Sequence, residues 1–121
     1  MNTLDLLLKS ELPELPEKEV KLKRLSAAYG EPVIFKLKAL SYNRANEITK
    51  MQPEDFNVHI LMAGVVEPDL RDADLRGKYN AETPAELIKK LLLPGEIEEL
   101  SREVEKLSGY RKLTIEEIKK K

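Results

Sequence analysis

With 121 residues, the chain has the length of one domain with one modest core. Charged residues make up 36%, but 21 basic against 22 acidic nearly cancel to a formal net charge of −1. That balance argues against a general binder of nucleic acid or anionic membrane, which carries a basic surplus. The absence of cysteine removes any disulfide framework, thiolate metal site or thiol nucleophile.

The first predicted element is a short helix over 2–10 with Leu4, Leu7 and Leu8 on one side. So short a helix is marginal alone. It either folds back on the core or offers its leucines to a partner, and both readings stand beside a disordered one. Pro13 and Pro16, set among glutamates, make 11–18 a stiff, extended linker. Leu6-Leu7-Leu8 has Asp5 before it and no basic flank or cleavage site, so it is no signal peptide. No run approaches the roughly 20 apolar residues of a membrane helix. The expectation is a cytoplasmic protein that engages neither membrane nor nucleic acid.

A β-hairpin is predicted over 19–40. Val20, Leu22 and Arg24 alternate weakly with Lys21, Lys23 and Leu25. Val33, Phe35, Leu37 and Ala39 share one face of a stronger strand, with Ile34, Lys36, Lys38 and Leu40 on the other. The intervening Ser26–Pro32, with Gly30 and Pro32 as turn residues, reads as a long loop. A two-stranded ribbon is marginal until something covers one face, and the following helices are the obvious cover.

Helices fill 41–109. Ser41 is a predicted N-cap, with Leu40 and Ala45 as a small staple, and Ala45, Ile48 and Met51 form one face. Pro53, Glu54 and Asp55 are predicted to open the next helix, which is apolar on nearly every side from Ile60 to Val66 and so should be the central core element. Gly64 inside it costs roughly 1 kcal/mol of helix propensity, for which close approach of another element is a sufficient reason. Glu67-Pro68 is predicted to end this helix. Asp72 caps a short helix leading to Gly77, and Thr83-Pro84-Ala85-Glu86 starts another. Pro94 breaks the run after Leu93. The last long helix carries Ile97, Leu100, Val104 and Leu107 at 3-4-3 spacing, with Gly109 where a left-handed residue is wanted. This seam packs either on Leu87, Ile88, Leu91 and Leu92 of the preceding helix or between subunits of a homo-oligomer. Thr114-x-x-Glu117 caps a further short helix, with Lys119, Lys120 and Lys121 at its end. The architecture expected is α+β and mostly α: an N-terminal hairpin on a bundle of about five helices. A globular domain at 19–109 is flanked by a helix and linker at 1–18 and a loosely held helix at 110–121.

Nothing in this pattern builds a reaction centre. His59 is the lone histidine, and Asp55 one turn earlier is read as its plain helix-start partner rather than as a base orienter or co-ligand. Asp72-x-Asp74-x-Arg76-Gly77 imitates a calcium loop but puts Arg76 and Thr83 where oxygen ligands belong. The five glycines are too scattered for a phosphate cradle. No catalytic, metal or cofactor-binding residue is assigned, no cofactor is expected, and the chain is not read as an enzyme.

One ordered series carries a resemblance: Val65-Val66-Glu67-Pro68-Asp69-Leu70, Asp74-Leu75, Tyr79, Thr83-Pro84-Ala85-Glu86-Leu87-Ile88, Leu91-Leu92-Leu93-Pro94-Gly95-Glu96-Ile97 and Leu107-Ser108-Gly109. It is similar to the small tail assembly chaperones of tailed bacteriophages and defective prophages, of the XkdN-like type. The resemblance implies a non-catalytic, ATP-independent protein of the bacterial cytosol that coats the tape measure protein. It would keep that client soluble while tail tube subunits, a second potential partner, polymerise around it. The family has no agreed ligand residues to carry over, so the partner-binding candidates are Leu4, Leu7 and Leu8. The family also implies a longer frameshifted form, for which the A-rich codons of Lys119–Lys121 are a candidate slippery site. The alternative is a small helical regulator, an antitoxin or anti-sigma-like adaptor binding one host protein. A basic recognition helix would mark it, and none is present.

Overall fold

The computed structural model describes residues 2–51 and 54–119. Its elements are α1 (Thr3–Lys9), β1 (Glu17–Lys21), α2 (Lys23–Tyr29), β2 (Ile34–Lys38), α3 (Tyr42–Met51), α4 (Phe56–Gly64), β3 (Val65–Glu67), α5 (Ala73–Lys78), α6 (Pro84–Leu91) and α7 (Pro94–Leu107). This is the expected α+β fold, mostly α, with an N-terminal antiparallel hairpin and five helices following it.

β1 pairs with β2 from Glu17↔Lys38 to Lys21↔Ile34. The alternation in β2 does what its period demands: Phe35, Leu37 and Ala39 are buried, while Lys36 and Lys38 on the opposite face stay partly in solvent. Two features of the sheet differ from expectation. The connection between β1 and β2 is helical, because Leu22 and Leu25 turn one side of α2 into the core and Gly30, at φ 74°, closes it in the left-handed region. Ser26, also buried, accepts the Val33 amide on its hydroxyl at 2.8 Å and ties that helix to the start of β2. The second difference is β3. The apolar helix stops at Gly64 rather than running to Val66, and Val65–Glu67 becomes a third strand on the far edge of β2, in the order β1-β2-β3. The unpaired edge of β2 offers these β-branched residues a ladder that a further turn of helix does not.

α4 is the central element. Val58, Ile60, Leu61 and Gly64 are buried, and α3, α6 and α7 all pack against it. A Cβ built on Gly64 would lie 2.6 Å from Cγ1 and 2.8 Å from Cγ2 of Val104, so α4 and α7 meet where only a hydrogen fits. The seam of α7 therefore serves its own domain. Leu100 and Val104 are buried, Ile97 and Leu107 are half-buried, and the helix packs on α4 and β2 rather than chiefly on α6. Two polar contacts fix the same packing: the buried Ser101 hydroxyl donates to Asn57 Oδ1 at 2.9 Å, and the Leu40 amide donates to Ser108 Oγ at 2.8 Å.

The caps follow the local code closely. Asp72 accepts the Leu75 amide at 2.9 Å, and Thr83 accepts the Glu86 amide at 3.1 Å. The Glu86 carboxylate reaches back one residue further than a capping box requires, to the Glu82 amide at 2.6 Å. After α7, Gly109 takes φ 96°; its amide donates to the Lys106 carbonyl and that of Tyr110 to Glu105, a Schellman closure. α4 begins at Phe56, with Asp55 before it at φ 60° and no side-chain cap. The expected roles of Pro53 and of the Met51, Lys120 and Lys121 side chains lie outside the described residues. Residues 113–119 form no regular secondary structure, so the helix expected from Thr114 is absent over that span.

Candidate partner-binding surface

α1 is a capped but unpartnered helix. Asn2 Oδ1 accepts the Asp5 amide at 2.9 Å, with Asp5 in the first turn and Lys9 in the last, as the macrodipole favours. None of its residues is buried. Leu4, Leu7 and Leu8, at i, i+3 and i+4, share one face and are 63%, 70% and 74% exposed. The helix therefore does not fold back on the core in this structure. Leu6 on another side of the helix and Leu12 in the linker are also exposed and extend the apolar segment; neither stood among the candidates, though Leu6 lies within the leucine run.

The sheet side of the domain is held to α7 by charge. Arg24 of α2 donates through Nη2 to Glu96 Oε1 at 2.8 Å and to the Leu91 carbonyl at 3.0 Å. Glu96 also accepts the Leu93 amide at 2.7 Å, so one carboxylate caps α7 and anchors α2. The Arg24 guanidinium holds the Glu96 carboxyl below its usual range, against the opposing effect of burial, and the Arg24 pKa is raised in return. About two turns along α7 from Glu96, Glu103 pairs with Lys18 of β1 and with Lys106. Lys18 foremost depresses its pKa too. Between these pairs, Val20, Leu22 and Leu100 floor a shallow groove rimmed by Lys21, Lys23 and Glu99.

The acidic residues of types suited to chemistry are occupied with local structure. Asp55, expected to partner His59, instead pairs with Lys89 at 2.6 Å. Asp69 accepts the Arg71 amide, and Asp72 is spent on its cap. Among the described residues no group of three or more His, Cys, Asp or Glu side chains is placed to hold a metal ion, and no helix is long and apolar enough to cross a membrane.

The C-terminal segment presents a second apolar cluster. Leu113, Ile115 and Ile118 are 96%, 89% and 80% exposed. The two ends of the chain thus carry its most exposed aliphatic side chains, and the domain between them has a charged skin.

A family model described as phage XkdN-like tail assembly chaperone protein matches residues 43–120. Among solved structures, the chain is similar to the crystal structure of the protein yqbn, at 24% identity and a TM-score of 0.68, over 91% of this chain and 98% of that one. At that identity the likeness shows the fold. No curated protein matches the chain.

Proposed function

Because this chain belongs to the phage XkdN-like tail assembly chaperones, we propose that it binds the tape measure protein and keeps it soluble in the bacterial cytosol while the tail is built. It acts by reversible burial of apolar surface, without catalysis. The observation that carries this reading is the exposed face of α1, where Leu4, Leu7 and Leu8 stand on a preformed helix none of whose residues is buried. A client made of long amphipathic helices needs its apolar stripes covered until it is packaged, and a helix-against-helix contact does so with side chains alone.

The energetics suit a holder that must let go. Full burial of a leucine is worth about 1.5–3 kcal/mol, and association itself costs about 4–15 kcal/mol in lost freedom of motion. Three leucines therefore make a weak contact by themselves. Strength comes from many copies arrayed along one long client, and polymerising tube subunits displace them one at a time. Near-zero net charge fits the same picture, since it supplies little long-range steering.

The experiment is co-expression with the tape measure protein of the same phage tail, comparing wild type with the triple substitution Leu4→Ser, Leu7→Ser, Leu8→Ser. Wild type should keep the client in the soluble fraction, and the triple variant, folded as judged by an unchanged melting temperature, should not. A folded triple variant that protects as well as wild type removes α1 from the mechanism. A wild type that fails to protect removes the client assignment.

A further inference from the structure

We propose that residues 113–119 are a second client-docking segment, which folds into a helix only on contact with an amphipathic client helix whose apolar stripe has acidic borders. This inference rests on the client-holding reading above and adds a site to it.

The segment is written as a helix start. Leu113-Thr114-Ile115-Glu116-Glu117-Ile118 places a hydrophobic N′ residue, a threonine N-cap, a glutamate at N3 and an isoleucine at N4. That is a capping box together with a hydrophobic staple. Glu116 and Glu117 each have a lysine four residues on, in the favourable orientation. Yet the segment is not helical, and Leu113, Ile115 and Ile118 project into solvent. α6 supplies the comparison within the same chain: it has the same threonine cap and nearly the same length, and it forms because Leu87 and Ile88 are buried against the domain. Set beside α6, what 113–119 lacks is a surface rather than a code: a two-turn helix is marginal in water by itself, and α1, equally short and with no residue buried, stands on its Asn2 cap. Once helical, the staple would bring Leu113 beside Ile118, and Ile115 lies on the same side, which makes one compact apolar patch.

Two observations point to a client rather than to a vestigial end. The family match runs to residue 120, through residues 113–119, all of them exposed, although it begins only at 43, after α1 and the hairpin. The charge is also segregated: residues 110–121 carry five lysines and arginines against two glutamates, on a chain that is otherwise net acidic. A patch of three aliphatic residues inside a basic segment is complementary to an apolar stripe bordered by carboxylates, and it makes binding sensitive to salt.

The test follows backbone chemical shifts of 113–119 in the full-length protein, alone and with the co-expressed tape measure protein, alongside client affinity of the triple variant Leu113→Ser, Ile115→Ser, Ile118→Ser. Expected are helical shifts confined to the complex, loss of affinity by about tenfold or more in the variant, and an unchanged melting temperature. Weakening of the wild-type complex by added salt should shrink in a Lys112→Gln, Lys119→Gln variant. Wild-type affinity in the triple variant, or a segment that stays non-helical in the complex, overturns the proposal and leaves the client-holding reading intact. Helical shifts that grow with protein concentration in the absence of client assign the surface to a second copy of this chain and also overturn it. A wild type that does not bind the client at all takes down both.

Discussion

Gly64→Ala is the sharpest test of how this domain is packed. The new methyl would sit 2.6 Å and 2.8 Å from the two γ-carbons of Val104, and 3.3 Å from its Cβ. Carbon atoms in good contact lie about 3.5–4.0 Å apart, so relief needs a displacement of about 1 Å. Val104 cannot swing away, because a β-branched side chain in a helix has one strongly preferred rotamer and this one is fully buried. The two helices must therefore part. Overpacking of this kind costs about 1–3 kcal/mol, offset by up to about 1 kcal/mol of helix propensity. The net loss expected is about 1–2 kcal/mol, which for a domain of this size moves the urea midpoint down by about 1 M at unchanged slope. Val104→Ala alone removes two buried methyl groups and should cost about 2–3 kcal/mol. In the double variant the alanine at 64 grows into the space vacated at 104, so the combined loss should fall short of the sum by about 1 kcal/mol or more. Urea unfolding followed by circular dichroism reads all four corners of the cycle. Additive losses, or a Gly64→Ala variant as stable as wild type, would refute the close approach of α4 and α7.

Thr83→Ala should cost about 1 kcal/mol by freeing the Glu86 amide at the start of α6, read as a lower thermal midpoint. Gly109→Ala should also destabilise, by about 1 kcal/mol, because a β-carbon is strained at φ 96°; the same measurement checks it. Glu96 and Glu103 have folded pKa values depressed by Arg24 and Lys18, so they contribute stability that is complete above the ordinary glutamate range near 4.5 and is lost as pH falls through their folded values. Denaturation midpoints measured down an acid series should drop in that window, and Glu96→Gln should flatten the drop. The purified protein is expected to contain no stoichiometric zinc or calcium by elemental analysis and to show no nucleotide-dependent rise in melting temperature.

Wherever a feature depends on neighbours in the chain, it was legible before any fold was known. Thr83-Pro84, Asp72 and Gly109 act through bonds spanning three to five residues, and they do in the structure what their chemistry dictates. The alternation of Phe35, Leu37 and Ala39 and the nearly all-apolar α4 announced a buried strand face and a central helix, since periodicity reports which sides meet the core. The leucine spacing of α1 was equally plain. The remaining features needed a partner surface to decide them. Leu22 and Leu25 read as part of a weakly alternating strand and Ser26–Pro32 as a loop, but their i, i+3 spacing also suits a helix, and burial of both leucines favours one. Val65-Val66 continues an apolar run that suits helix or strand alike, and the free edge of β2 chose strand. The α7 seam looked able to serve a coiled coil until Gly64 gave Val104 a seat within its own domain. The C-terminal segment shows the converse: it carries a complete local code for a helix start, yet residues 113–119 form no helix and stay exposed. Local hydrogen bonds choose where an element begins and ends, and they hold α1 on its Asn2 cap with no residue buried, whereas α2 and α6 each turn one side into the core.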